Sequence, residues 1–172
     1  MNQFFITGTD TDAGKTHVTS LLLKLLAQHK KRAIGFKPIA SGCEMAFEQL
    51  VNADALMLME SATVSAKYDI INPFAFAPPI APHIAAEQAG INITVEKLSM
   101  AYQHVKQQGA DYLLTEGAGG WALPINNNEY YKSYTVITSD TIRDDEIITD
   151  SFSVFGNFDN LIKDEKYQMF KN

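Results

Sequence analysis

The chain opens on an apolar run that breaks into a small and polar loop. Residues 3–7, with Phe4-Phe5-Ile6 at their centre, read as a buried strand, and Gly8 to Gly14 read as the turn that ends it. Val18, Leu21, Leu22, Leu25 and Leu26 then recur at helical spacing, which predicts a helix opening at Lys15-Thr16 with those residues as its buried stripe. Residues 33–38 read as a second strand, closed by Pro38 because proline has no N–H to give to a ladder. Residues 39–44 read as a loop, and residues 47–60 as a helix carrying Phe47, Leu50, Val51, Leu56, Met57 and Met59, with Asp54 inside it. Residues 68–74 look extended, and Pro78, Pro79 and Pro82 mark a loop before a short helix near 83–88. Thr94 is placed to cap a helix running to about Gln108 and ended by Gly109, after which residues 111–115 form the best remaining strand. Helices alternating with short apolar strands predict an α/β fold, a parallel sheet flanked by helices.

Past Asn126 the pattern changes. Residues 127–172 show no helical period and only two β-favouring patches, at 134–138 and 151–155. A boundary therefore falls near 126, between an α/β domain at 1–126 and a divergent tail at 127–172. Parallel strands buried on both faces need nearly continuous apolar runs, and 134–138 is a short patch among Ser, Thr, Asp and Asn. The tail is expected to be loosely attached, with room for one antiparallel edge strand.

The chemistry concentrates at the first break. Thr7-Gly8-Thr9-Asp10-Thr11-Asp12-Ala13-Gly14-Lys15-Thr16 delivers consecutive backbone N–H groups and a helix N-terminus to one point, where an anion is favoured. Lys15 can reach the β- and γ-phosphates of a nucleotide, and the Thr16 hydroxyl can bind Mg²⁺. The loop is a variant of the P-loop pattern, since Thr9 stands where a strict motif has glycine and Gly8 comes one residue early. The competing reading is a plain strand-turn-helix. Glu116 follows an apolar strand and precedes Gly117-Ala118-Gly119-Gly120, so it can hold a metal from a second side, or be a solvated strand-end carboxylate. Lys37, at the end of the second strand, can neutralise an anion or simply face solvent, and Ser41 is a weaker candidate. Asp54 is a ligand candidate or ordinary surface. Cys43 reads as a small buried residue and Trp121 as packing or a loop anchor, and His17, His29, His83 and His104 show no metal-ligand spacing.

Composition narrows the classes. A chain of 172 residues suits one domain that buries roughly 70% of its unfolded surface. With 14 Lys plus Arg against 20 Asp plus Glu, and no basic run beyond Lys30-Lys31-Arg32, nothing marks a nucleic-acid face. The single cysteine excludes an internal disulfide framework, the first residues lack the features of a leader, and no apolar run reaches membrane-spanning length. A soluble, cytoplasmic protein without membrane partners is expected.

The loop, Phe36-Lys37-Pro38-Ile39-Ala40-Ser41-Gly42-Cys43, Asn52-Ala53-Asp54-Ala55, Asn72-Pro73-Phe74, Pro82-His83-Ile84-Ala85-Ala86 and Glu116-Gly117-Ala118-Gly119-Gly120-Trp121 occur in this order. Over residues 4–126 the chain resembles dethiobiotin synthetase, a P-loop NTPase-like family, and is expected to be truncated relative to it. The resemblance implies an ATP- and Mg²⁺-dependent cyclo-ligase of biotin biosynthesis, acting on 7,8-diaminopelargonic acid and CO₂ as a homodimer. It implies that Asp12, Ala13, Gly14, Lys15, Thr16 and His17 line the ATP phosphates, joined by Asp54, Glu116, Gly117, Ala118 and Gly119. Thr16, Asp54 and Glu116 would be the metal ligands, Lys15 and Lys37 the catalytic residues, and Ser41 a contact to the diamine. Residues 127–172 show no counterpart to the family's later substrate-carboxylate and adenine motifs, so a catalytically impaired remnant stays open as an alternative. A nucleotide-dependent switch or partition ATPase is another alternative; such proteins carry an extra lysine that would fall at position 10, where this chain has Asp10.

Overall fold

The structure is a computed structural model of the chain, and it describes residues 1–9, 12–46, 48–120, 123–130, 146–148 and 152–156. Strand β1 (Asn2–Gly8) comes first, then helix α1 (Lys15–Gln28) and β2 (Ala33–Phe36). Then come β3 (Ile39–Ala40), a small hairpin of β4 (Glu44–Ala46) and β5 (Gln49–Val51), and helix α2 (Ala53–Ser61). Helix α3 (Tyr68–Ile71), β6 (Phe74–Ala75), α4 (Pro82–Gln88) and α5 (Val95–Lys106) lead to β7 (Tyr112–Glu116). Beyond them lie β8 (Glu146–Ile148) and β9 (Phe152–Gly156).

The main sheet has five strands in the order β2-β7-β1-β9-β8. Strands β2, β7 and β1 are parallel, whereas β9 runs antiparallel to β1 and β8 antiparallel to β9. Successive side chains of a strand point to opposite faces, and the parallel core follows that period. Phe4, Ile6, Ala33, Tyr112 and Leu114 pack with Leu23 and Leu26 of α1 and Leu58 of α2. Phe5, Ile34, Phe36 and Leu113 pack on the other face against Leu98, Tyr102 and Val105 of α5. The predicted parallel sheet between helical layers is thus present.

Several local expectations are corrected. The buried face of α1 is Lys15, Thr19, Ser20, Leu23 and Leu26, while Leu21 is half exposed. The helix can bury its small hydroxyls because Thr19 Oγ1 donates to the Lys15 carbonyl at 2.8 Å and Ser20 Oγ to that of Thr16 at 2.7 Å. The helix expected over 47–60 begins only at Ala53, after the β4–β5 hairpin. Asn52 sets that start, its Oδ1 accepting from the N–H groups of Asp54 at 3.1 Å and Ala55 at 3.3 Å. Residues 68–71 form a helical turn rather than extended chain, with Asn72 N–H on the Tyr68 carbonyl at 2.8 Å. Thr94 caps α5 as expected, donated to by Lys97 N–H at 3.2 Å, and Gly109 follows with φ 75°. The tail supplies two strands to the sheet where the sequence left room for one. Strand β9 occupies the edge of β1 opposite β7, so the hydrogen-bonding groups on both sides of β1 are paired. Asp10, Thr11, Phe47, Trp121 and the 134–138 patch lie outside the described residues.

Helix α2 lies hard against β2. A Cβ built on Gly35 would sit 2.8 Å from Leu58 Cβ, closer than carbon atoms approach, and a tight 3.1 Å from Leu23 Cδ1. Gly35→Ala should therefore destabilise the fold by about 1–3 kcal/mol, as overpacked cores do. Thermal melting followed by circular dichroism checks it; an unchanged midpoint would mean that α1 and α2 can slide without loss.

Candidate functional site

The phosphate loop is built by backbone geometry. Asp12 has φ 59° and Gly14, the residue before α1, has φ 90°. The left-handed region strains residues with a Cβ, which makes glycine the natural choice at 14. The first turn of a helix carries N–H groups with no intrahelical partner, and no side chain caps α1 among the described residues. The residues that could meet an anion there are Ala13, Gly14, Lys15, Thr16 and His17. Lys15 is buried and Thr16 half buried, whereas Asp12 and His17 are exposed.

A second loop closes on the first. Gly117 N–H donates to the Ile6 carbonyl at 2.9 Å, continuing the β1–β7 pairing past the strand end. Downstream, a Cβ on Gly120 would lie 3.4 Å from the Thr9 carbonyl oxygen and 3.6 Å from that of Gly8, ordinary contact distances that put this backbone alongside the first loop. Ala118 and Gly119 are half buried within this turn.

Between the loops stands a charged cluster. Lys37 Nζ lies 2.6 Å from Glu116 Oε1 and 2.9 Å from Asp54 Oδ2. Thr16 Oγ1 donates to the same Glu116 oxygen at 2.7 Å. Glu116 is fully buried and Lys37 only 6% exposed at its side chain, whereas Asp54 is 43% exposed and marks the open side. Burial opposes the Lys37 ammonium, but Glu116 and then Asp54 more than offset it and hold the group above its ordinary value of 10.5. Lys37 and Glu116 are therefore buried rather than solvent-facing, and Asp54 stands in the first turn of α2 rather than within a helix running from residue 47.

The cluster offers oxygen atoms of the kind a hard cation takes. Glu116 Oε2 is buried with no hydrogen-bond partner among the described residues, an unused anionic oxygen beside a hydroxyl and a second carboxylate. Oxygen donors of this kind suit Mg²⁺. Ser41 lies beyond β3, half buried in a turn pinned by Gly42 N–H on the Pro78 carbonyl at 3.2 Å, and no described contact joins it to the cluster. Burial raises the nearby Cys43 thiol. The described residues contain no group of three or more His, Cys, Asp or Glu able to hold a metal.

The sequence also pointed to Asn52 and Asn72 without giving them work. Both are buried, and both hydrogen-bond to Tyr68. The signal available for Asn52 was its place immediately before a helix, the position at which asparagine caps.

A family described as an AAA domain matches residues 2–137. The chain belongs to that family. It is 86% identical over 130 residues to the ATP-dependent dethiobiotin synthetase BioD of Pseudoalteromonas translucida, a match covering 76% of this chain and 57% of that protein. It is 48% identical over 126 residues to the same-named protein of Aeromonas hydrophila, covering 73% of this chain and 56% of that protein. The corresponding protein of Marinobacter nauticus is 48% identical over 128 residues, 74% of this chain and 55% of its own length. The resemblance carried by the motifs of residues 4–126 is borne out, and this AAA-domain chain spans about half the length of the curated relatives it matches.

The raised Lys37 value fixes a pH dependence. The folded state holds that proton more tightly than the unfolded chain, so the stability gained from the cluster is fully present below 10.5 and is lost as pH rises through the higher folded value. Urea unfolding across the alkaline range should show this fall in the natural chain. It should be shallower in Lys37→Met, and equal slopes in the two would separate the cluster from alkaline stability.

Proposed function

We propose that this chain is the nucleotide-binding unit of an ATP- and Mg²⁺-dependent dethiobiotin synthase, closing the ureido ring on 7,8-diaminopelargonic acid with CO₂. The observation that carries the reading is the convergence of Lys37 and Thr16 on one oxygen of Glu116, with Asp54 on the same lysine, beside a phosphate loop. The name of the relatives supports the use of ATP and the product. In this reading Asp12, Ala13, Gly14, Lys15, Thr16 and His17 take the phosphates, Glu116 to Gly119 border the nucleotide, and Ser41 meets the diamine. Residues 1–126 form the nucleotide-binding domain and 127–172 a divergent tail, and the working form pairs two copies. No helix of the described residues is long and apolar enough to cross a membrane, and we assign the enzyme to the cytoplasm.

Thr16, Asp54 and Glu116 would hold Mg²⁺, which when bound shields the phosphate charge. The protein's own groups carry the rest. One amine of the substrate adds to CO₂ and loses a proton, giving a carbamate, a poor nucleophile facing a polyanion. Lys15 clamps the phosphates, and Lys37, already desolvated and charged, neutralises the carbamate as its oxygen attacks the γ-phosphorus and ADP departs. The second amine then attacks the carbonyl carbon of the mixed anhydride, phosphate leaves, and the ring closes.

Dethiobiotin formation from diaminopelargonate, ATP and bicarbonate is the direct assay, and a chain that binds Mg-ATP without forming product would overturn the reading. Lys15→Ala should abolish ATP binding in calorimetry, because backbone amides alone cannot match the charge of a triphosphate. Lys37→Ala should keep its affinity for ATP and lose about 10² to 10³ in kcat, the usual loss of a preorganised charge-stabilising group.

Asp54→Asn should shift activity to higher Mg²⁺, since an amide carbonyl is a weaker ligand than a carboxylate. An activity curve that superimposes on the parent when titrated with Mg²⁺ would return Asp54 to the role of a counter-ion for Lys37 alone.

A further inference from the structure

Buried amides keep their place only when their donors and acceptors are matched, and the partners of Asn52 and Asn72 run in a closed circuit. The circuit begins at the backbone of Lys37, whose carbonyl accepts from Asn72 Nδ2 at 2.6 Å while its N–H donates to the Ile71 carbonyl at 2.9 Å. Asn72 Oδ1 accepts from the Tyr68 hydroxyl at 2.8 Å, and the Tyr68 oxygen accepts from Asn52 N–H at 2.7 Å. Asn52 Oδ1 in turn caps α2 through Asp54 and Ala55, and the Asp54 carboxylate returns to Lys37 at its ammonium, 2.9 Å away. Both ends of one lysine, its main chain and its charge, are thus referred to the same phenol.

We propose that Asn52, Tyr68 and Asn72 are positioning residues that aim the Lys37 ammonium and the Asp54 carboxylate at the reacting phosphate. The inference rests on the reaction assigned to Lys37 above. A lysine side chain has many rotamers, and its charge acts on a transition state only if it is held in place beforehand. Glu116 and Asp54 fix the tip; the Asn72 bond fixes the root, and Tyr68 makes the two move as one. Burial pushes the Tyr68 hydroxyl above the ordinary phenol value.

The test uses the full chain with Tyr68→Phe, Asn52→Ala and Asn52→Ser. Thr63→Ala serves as a structural control, because Thr63 Oγ1 accepts from Ala33 N–H at 2.7 Å and donates to the Lys31 carbonyl at 2.8 Å, at the opposite end of β2 from Lys37. The readouts are kcat, the Kd for ATP, the melting midpoint and the ¹⁵N resonance of the Lys37 ammonium. Tyr68→Phe and Asn52→Ala should each lower kcat about tenfold, with Kd for ATP within about twofold, as loss of an orienting partner does. Both should shift the ammonium resonance, Asn52→Ser should restore it by keeping a capping oxygen, and Thr63→Ala should lower only the melting midpoint. Variants that behave like Thr63→Ala, or a serine that restores nothing, overturn the proposal. If the unsubstituted chain forms no product, the assigned reaction has failed, and the resonance alone decides the relay: unmoved by Tyr68→Phe it overturns the proposal, moved it carries it.

Discussion

A lysine ammonium taken almost entirely out of water has to be answered by carboxylates, and the architecture of this protein can be traced from that requirement at Lys37. The answer comes from two directions. Glu116 arrives at the end of β7, between β1 and β2, and Asp54 arrives on the first turn of α2. Thr16 joins from the start of α1 by donating to Glu116. The charged cluster consequently sits at the C-terminal ends of the parallel strands, where their loops converge and where open α/β sheets leave a crevice for ligands. The same residues that neutralise each other can also face a phosphate, since a buried and paired ammonium is already stripped of the water that would otherwise have to leave.

One glycine near this cluster works by permitting approach. Gly35 allows α2 to rest on β2, where a Cβ would collide with Leu58. Asp54 then reaches Lys37 from the helix so placed, and a missing side chain gains close packing between segments far apart in sequence.

Much of this was readable in the chain because some residues report local chemistry. Gly14-Lys15-Thr16 after an apolar strand announces a phosphate loop, and Glu116 before a glycine run announces its partner. The phase of α1 was less legible. Of the five apolar residues at helical spacing Leu26 is buried as expected, but the face that starts from Lys15 at the loop also turns Thr19 and Leu23 inward and leaves Leu21 exposed. The start of α2 was misplaced for a similar reason: apolar residues at 50, 51, 56 and 57 serve both hairpin and helix, and the deciding residue is the cap at Asn52. The patch at 151–155 and the room for an antiparallel edge strand were legible, but the place of β9 beside β1 and the hydrogen bonds of Tyr68 were not, since each depends on which distant segment comes alongside.

The place of β7 in the sheet has a consequence for how the protein comes into being. It is the last of the parallel strands in the chain, yet it lies between β1 and β2, which have no direct pairing with each other. A nascent chain that has delivered β1, α1 and β2 from the ribosome still lacks the strand that joins them, and their apolar faces must wait for it. When β7 inserts, it brings Glu116 to Thr16 and Lys37 in the same event. Synthesis of such a sheet is therefore a period of exposure followed by abrupt closure, with aggregation competing throughout the interval. The strand that joins β1 to β2 also delivers the buried carboxylate, so the charged cluster and the parallel core of the sheet mature at the same moment.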